Sequence, residues 1–169
     1  MKKLKPTSPG RRGMTVIEYK KKLSSTKSNP HKALTKGKRA TGGRNSQGRI
    51  TTWYRGAGSK RKYRDVDFTY NKKDIEATIE SVEYDPYRSG FIALVLYKDG
   101  ERRYVLVPQG MAVGDTFVVS EKAKIATGNR LPLGNMPIGT FVYNIELKPG
   151  AGARIARSAG NYAEVVAHD

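Results

Sequence analysis

The sequence predicts an all-β protein, and three observations carry that prediction. Apolar residues alternate with a period of two, turn signals recur between short apolar runs, and no segment sustains a 3.6-residue period. Helix should therefore be scarce. The β pattern is confined to residues beyond about 60, and what precedes it is of a different composition. Residues 1–64 hold 20 of the 32 Lys and Arg and one of the 15 acids, Glu18. The formal charge of +17 thus sits in a basic arm ahead of a nearly neutral body, and an anionic partner is the first inference.

The arm opens MKKLKPTSPGRRGMTVIEYKKK, in which Pro6 and Pro9 hold the chain extended and Gly10 and Gly13 break it. Residues 14–19 have the apolar content to pair as a short strand or to dock. From 20 to 38 the chain is mostly Lys, Ser, Thr and Asn, with little to fold around, so this part should be extended unless bound. No apolar stretch follows Lys2, Lys3 and Lys5, which argues against a secretory signal, and the same prolines and glycines argue against a helical transit peptide. No apolar run approaches the roughly 18 residues of a membrane helix.

Residues 41–64 read TGGRNSQGRITTWYRGAGSKRKYR, with five arginines, two lysines, five glycines, three aromatics and no acid. With no His, Asp, Glu or Cys, this stretch cannot carry acid–base chemistry by itself. Guanidinium forks match phosphate oxygens, glycines allow close backbone approach and flat rings stack on bases. Gly43 to Arg49 has the glycine spacing of a phosphate-binding P-loop, but Arg49 and Ile50 stand where that loop needs Lys and Ser/Thr, and no apolar strand precedes it. Gly56 and Gly58 lack the third glycine and the helix of a dinucleotide fingerprint. Both clusters read as turns.

In the body, Ile75, Ala77 and Ile79 alternate on one parity and Val82 and Tyr84 on the other, which predicts a bulge near Glu80 and Ser81. Residues 91–97 (FIALVLY) read as a buried central strand. Asp99-Gly100 signals a hairpin back through residues 102–107 (RRYVLV). Residues 117–120 form one more strand, giving four or five strands at the spacing of a small barrel or sandwich. Residues 126–139 (ATGNRLPLGNMPIG) mark a boundary rich in Gly, Pro and Asn. Strands at 140–147, 154–157 and 162–167 follow, with a glycine-rich basic loop at 148–153. Three strands are fewer than a closed barrel needs.

Chemistry-bearing residues are few. The absence of cysteine excludes disulfides, thiolate zinc sites and a Cys nucleophile. His31 and His168 are far apart in sequence with no third ligand type beside them, and read as surface residues. Asp65 and Asp67 would share one side of a strand. They either hold a metal for a small nuclease or balance Arg61, Lys62 and Arg64. The candidate phosphate contacts are Arg11, Arg12, Lys36, Lys38, Arg39, Arg44, Arg49, Arg55, Lys60, Arg61 and Arg64, with Arg88 on the turn YDPYRSG. Lys148, Arg154 and Arg157 form a second set, and Trp53 and Tyr63 are the stacking candidates.

Four long segments together carry a resemblance: KPTSPGRRGMT (5–15), GGRNSQGRIT (42–51), EYDPYRSGFIALVLYKDGERRYVLVPQG (83–110) and LPLGNMPIGTFVYNIELKPG (131–150). In order and content the chain resembles the bacterial large-subunit ribosomal protein L-two family. The resemblance implies an extended basic RNA-binding arm at 1–60, an OB-like barrel at 61–125 and an SH3-like barrel at 126–169 that lacks the family's usual C-terminal portion. It implies a non-enzymatic structural constituent that binds large-subunit ribosomal RNA directly and supports subunit assembly, subunit association and organisation of the peptidyl transferase region. It also implies neighbouring ribosomal proteins as partners, no membrane, no homo-oligomer, and a cytoplasmic ribosome, an organellar one remaining open. No cofactor is expected, any structural magnesium being held by the bound RNA. The glycine- and histidine-rich tail of the family has no counterpart in these residues, and His168 does not correspond to its histidine. The alternatives are a free-standing cationic OB-type nucleic-acid-binding protein and the metal-dependent nuclease at Asp65 and Asp67.

Overall fold

A computed structural model describes residues 1–25, 29–56 and 58–168. In chain order the strands are β1 (Lys2–Lys3), β2 (Thr15–Val16), β3 (Thr35–Gly37), β4 (Lys62–Arg64), β5 (Ala77–Glu83), β6 (Ile92–Tyr97), β7 (Arg102–Leu106), β8 (Thr116–Phe117), β9 (Phe141–Val142) and β10 (Ala163–Glu164). Two four-residue helices, α1 (Pro9–Arg12) and α2 (Tyr19–Lys22), lie in the arm, and short 3-10 turns occupy Lys32–Leu34 and Leu133–Asn135. The all-β expectation holds.

The centre is an antiparallel sheet in the order β7-β6-β5-β8, curled into a half-barrel. β6 explains its own unbroken apolar run, because it is buried on both faces. Ala93, Val95 and Tyr97 point into one cluster with Ala77, Ile79, Val82, Val105 and Phe117. Ile92 and Leu94 point into the other, with Val66, Tyr104 and Leu106. The register of β5 against β6 shifts between Ile79 and Ser81, the bulge that the parity switch predicts. Gly100, at φ +86°, turns the β6–β7 hairpin in the left-handed region that glycine tolerates.

The arm is less loose than its composition suggests. β1 pairs with β2, and Leu4 N–H donates to the Met14 carbonyl at 3.1 Å. Leu23 packs against the larger core cluster and Leu34 against the smaller one. Ser24 exchanges bonds with Val82, its N–H donating to the Val82 carbonyl (3.0 Å) and its Oγ accepting from the Val82 N–H (2.7 Å). Leu23, Ser24 and Leu34 thus hold the described parts of this polar stretch against the body. β3 then pairs antiparallel with β4, Lys36 facing Tyr63 and Thr35 facing Arg64.

After β8, Val119 and Arg130 form a parallel bridge, and the Asn129 side chain accepts from the Val118 N–H at 2.9 Å. The later strands are shorter than the sequence predicts. β9 pairs with β10, and Ile145 bridges Ile155. The apolar run at 140–147 is interrupted by Asn144, which is buried with φ +53°. Asn144 Nδ2 donates to the Tyr70 hydroxyl (3.1 Å), its carbonyl accepts from Arg130 (3.0 Å), and Arg130 reaches Glu146 (2.9 Å) and lies over the Tyr70 ring. That junction binds the second set of strands to the first. Gly152 completes it. At φ +80° its N–H donates to Glu146, and a Cβ there would stand 3.3 Å from the Phe68 carbonyl oxygen.

Candidate nucleic-acid interface

The loop between β3 and β4 is a folded unit. The Asn45 side-chain oxygen accepts the N–H groups of Gln47 and Arg49, both at 3.0 Å, and Arg44 bridges Ile50. The Gly43 carbonyl accepts from Thr51 (2.9 Å) and Thr52 (3.1 Å). Gly43, at φ +76°, lies so close beneath the returning chain that a Cβ would fall 2.3 Å from the Thr52 carbonyl oxygen. Of the two glycines that mimic a nucleotide loop, Gly43 therefore serves a tight crossing of the backbone with itself, and Gly48, at φ +80°, serves a turn closed on the Asn45 carbonyl.

Arg44, Arg49, Arg55 and Lys60 all project into solvent from this unit. None of the four forms an ion pair with an acid among the described residues. Trp53 and Tyr54 occupy the turn beside them, Trp53 78% and Tyr54 fully exposed. The result is a positive surface with two apolar rings set in it, suited to phosphate contact and base stacking.

A second cluster lies at the foot of the loop. Tyr63 meets Tyr87 edge-on at 5.5 Å, and Lys38 sits over both rings at 5.4 and 5.7 Å. Arg61 lies over Tyr87 at 5.9 Å and donates to the Pro86 carbonyl at 3.3 Å. Lys38, Arg61 and Tyr87 keep exposed surface, whereas Tyr63 is half-buried. Tyr87 escaped the sequence reading. Its signal is the Asp85-Pro86 turn, in which the Asp85 carboxylate accepts the Tyr87 N–H at 2.9 Å and aims the ring outward.

Burial sets two of the predicted contacts apart from the others. Arg64 is only 2% exposed, and one of its guanidinium nitrogens donates to the Lys62 carbonyl at 3.0 Å. Arg88 pairs with the fully buried Asp85 and lies over the Phe68 and Tyr63 rings. Both hold the fold beneath the surface and offer a phosphate little access. Lys36 is exposed but bound to Asp65 at 2.8 Å, which draws the Lys36 ammonium above its ordinary 10.5 through that hydrogen bond and charge. Arg11, Arg12 and Arg39 are exposed along the arm, and Lys148 and Arg154 on the second strand set. Arg157 stacks over Phe68 at 3.7 Å while remaining exposed.

Asp65 and Asp67 do not form a pair of free carboxylates. Asp67 Oδ2 accepts from Arg103 at 2.7 Å, and its Oδ1 accepts from the hydroxyl and N–H of Thr69 and from the Tyr70 N–H. Burial opposes its charge, but those bonds win and hold it below the ordinary 3.8. Among the described residues no cluster of three or more His, Asp or Glu side chains forms a metal cage.

Comparison with known proteins places these features in a setting. Residues 31–120 match the family profile described as Ribosomal Proteins L2, RNA binding N-terminal domain, and residues 126–169 match Ribosomal Proteins L2, C-terminal domain. The first match takes in β3, the basic loop and the whole central sheet. The chain is similar to the large ribosomal subunit protein uL2 of Roseobacter denitrificans, 54% identical over 169 residues, or 100% of this chain and 59% of that protein. The protein of the same name from Buchnera aphidicola is 55% identical over 99% of this chain and 60% of its own length. That from Ruegeria pomeroyi is 53% identical over 100% and 59%. The chain therefore spans about three fifths of these relatives.

Proposed function

Since the chain belongs to the L2 family of ribosomal proteins, we propose that it is a non-enzymatic structural component of the large ribosomal subunit that binds ribosomal RNA directly. The exposed, acid-free basic surface of the β3–β4 loop carries this reading. Arg44, Arg49, Arg55 and Lys60 neutralise phosphates where RNA strands crowd together, and Lys38 and Arg61 extend the contact along the foot of the loop. Recognition is by the shape and backbone of folded RNA. Through that contact the protein supports subunit assembly, subunit association and organisation of the peptidyl transferase region, in a cytoplasmic ribosome beside neighbouring ribosomal proteins. Lys148, Arg154 and Arg157 form a second contact around the 148–153 loop.

The test is binding to large-subunit RNA as a function of salt, using point substitutions. Deleting residues 1–60 would strip β3 from β4 and Leu34 from the core, confusing lost contact with lost fold. A steep salt dependence that flattens when the loop cations are removed supports the reading. Equal affinity for unrelated single strands would favour a free-standing nucleic-acid-binding protein instead.

A further inference from the structure

We propose that Trp53 and Tyr54 form an exposed stacking platform for unpaired RNA bases. This inference rests on the RNA-binding reading and adds which part of the RNA is grasped. The chain buries Tyr97 and Tyr104 completely, yet leaves its single Trp and the adjacent Tyr in water. Exposing two large neighbouring rings is unfavourable for the free protein, so their position calls for a ligand that covers them. Tyr54 also sits at φ +58°, in the left-handed region that a bulky side chain rarely enters. The strain is sustained by a rigid base, the Asn45 cap and the Gly43 crossing beneath Thr52 and Arg55. The backbone that carries the rings is therefore fixed before any partner arrives, and the exposed rings turn onto the bases from it.

Charge selects the partner. Arg44, Arg49 and Arg55 are exposed in the same unit, and residues 41–64 contain no acid. A ligand that covers the rings must carry flat apolar groups and dense negative charge together, which describes a polynucleotide. In a duplex each base is already stacked on both faces, whereas bases in a bulge or loop are free to lie on an aromatic ring.

Trp53 supplies its own probe, because its emission is the only tryptophan signal in the chain. The full chain is titrated with a labelled RNA hairpin carrying a bulge of two adenosines and with the same hairpin fully paired. Binding is followed by anisotropy of the label and stacking by quenching of Trp53. The expected result is quenching by the bulged hairpin that exceeds that by the paired one. Trp53→Ala and Tyr54→Ala should each weaken the bulged complex by about 5- to 100-fold without changing its salt slope, since neither ring carries charge. Tyr54→Gly separates ring from backbone. It relieves the strained turn, so a purely structural role predicts unchanged or tighter binding, whereas stacking predicts the same loss as Tyr54→Ala. Binding by anisotropy with unchanged Trp53 emission and unaffected variants overturns the platform and leaves RNA binding intact. Quenching that appears only when other ribosomal proteins are added overturns it in favour of a protein pocket. No anisotropy change with any RNA overturns the RNA-binding reading itself.

Discussion

Replacing Arg44, Arg49, Arg55 and Lys60 together by Gln should flatten the salt dependence of RNA binding by about 3 to 4 units in the slope of log K against log salt. The magnitude follows from the geometry. All four side chains are exposed and none is paired with an acid among the described residues, so each is available for one phosphate. Each phosphate neutralised contributes a slope of about −0.7 to −0.9 through release of condensed counterions. Removing four contacts removes that multiple, and the loss of affinity should be largest at low salt. The assay is filter binding or anisotropy with large-subunit RNA at several salt concentrations. A thermal melt should show the variant folding as the parent does, because these side chains lie outside both core clusters. Lys36→Gln is the internal control. Its ammonium is already bound to Asp65, so it should change the slope by less than any of the four. An unchanged slope in the quadruple variant, with folding intact, would refute the assignment of the loop as the phosphate-binding surface.

Other perturbations act through the fold. Gly43→Ala should cost about 1–3 kcal/mol, read by chemical denaturation or as local loss of amide protection, because the new Cβ meets the Thr52 carbonyl oxygen at a left-handed position. RNA affinity should fall with it as the loop opens. Arg88→Gln should destabilise by about 3–5 kcal/mol, since it leaves the Asp85 carboxylate buried without its charge partner. Its effect on the salt slope should be small. Asp67→Asn should cost about 2 kcal/mol at neutral pH through the weakened bond to Arg103. Because folding lowers the Asp67 pKa below 3.8, its stabilisation is complete well above that value and is lost as the pH falls below it. The difference in stability between parent and Asp67→Asn should therefore shrink on acidification through that range.

Much of the β body was legible because local chemistry and tertiary packing agree there. An apolar run such as residues 91–97 has one economical fate, burial on both faces, and Asp99-Gly100 has one natural turn. The parity switch between Ile79 and Val82 even located the bulge. The basic loop was legible as an exposed cationic surface because it lacks acids. The sequence does not show which cations stay on the surface. Arg64 and Arg88 look like Arg55 and Arg61 in composition, but a register opposite Thr35 buries one and a turn over Asp85 captures the other. The docking of the arm through Leu23, Ser24 and Leu34 was hidden for a similar reason. Two leucines in a stretch of Lys and Ser give no periodic signal, and their partners lie far away in sequence. The short strands after residue 140 miss their predicted lengths because Asn144 leaves the extended conformation to make the junction with Tyr70 and Arg130.

The most direct measurement is a competition between purified large-subunit and small-subunit ribosomal RNA for the full chain in moderately high salt, scored by co-sedimentation. The chain should sediment with the large-subunit RNA, resist displacement by the small-subunit RNA, and lose that preference in the Arg44, Arg49, Arg55 and Lys60 variant. Equal partition between the two RNAs, or retention of full preference by that variant, would contradict that expectation.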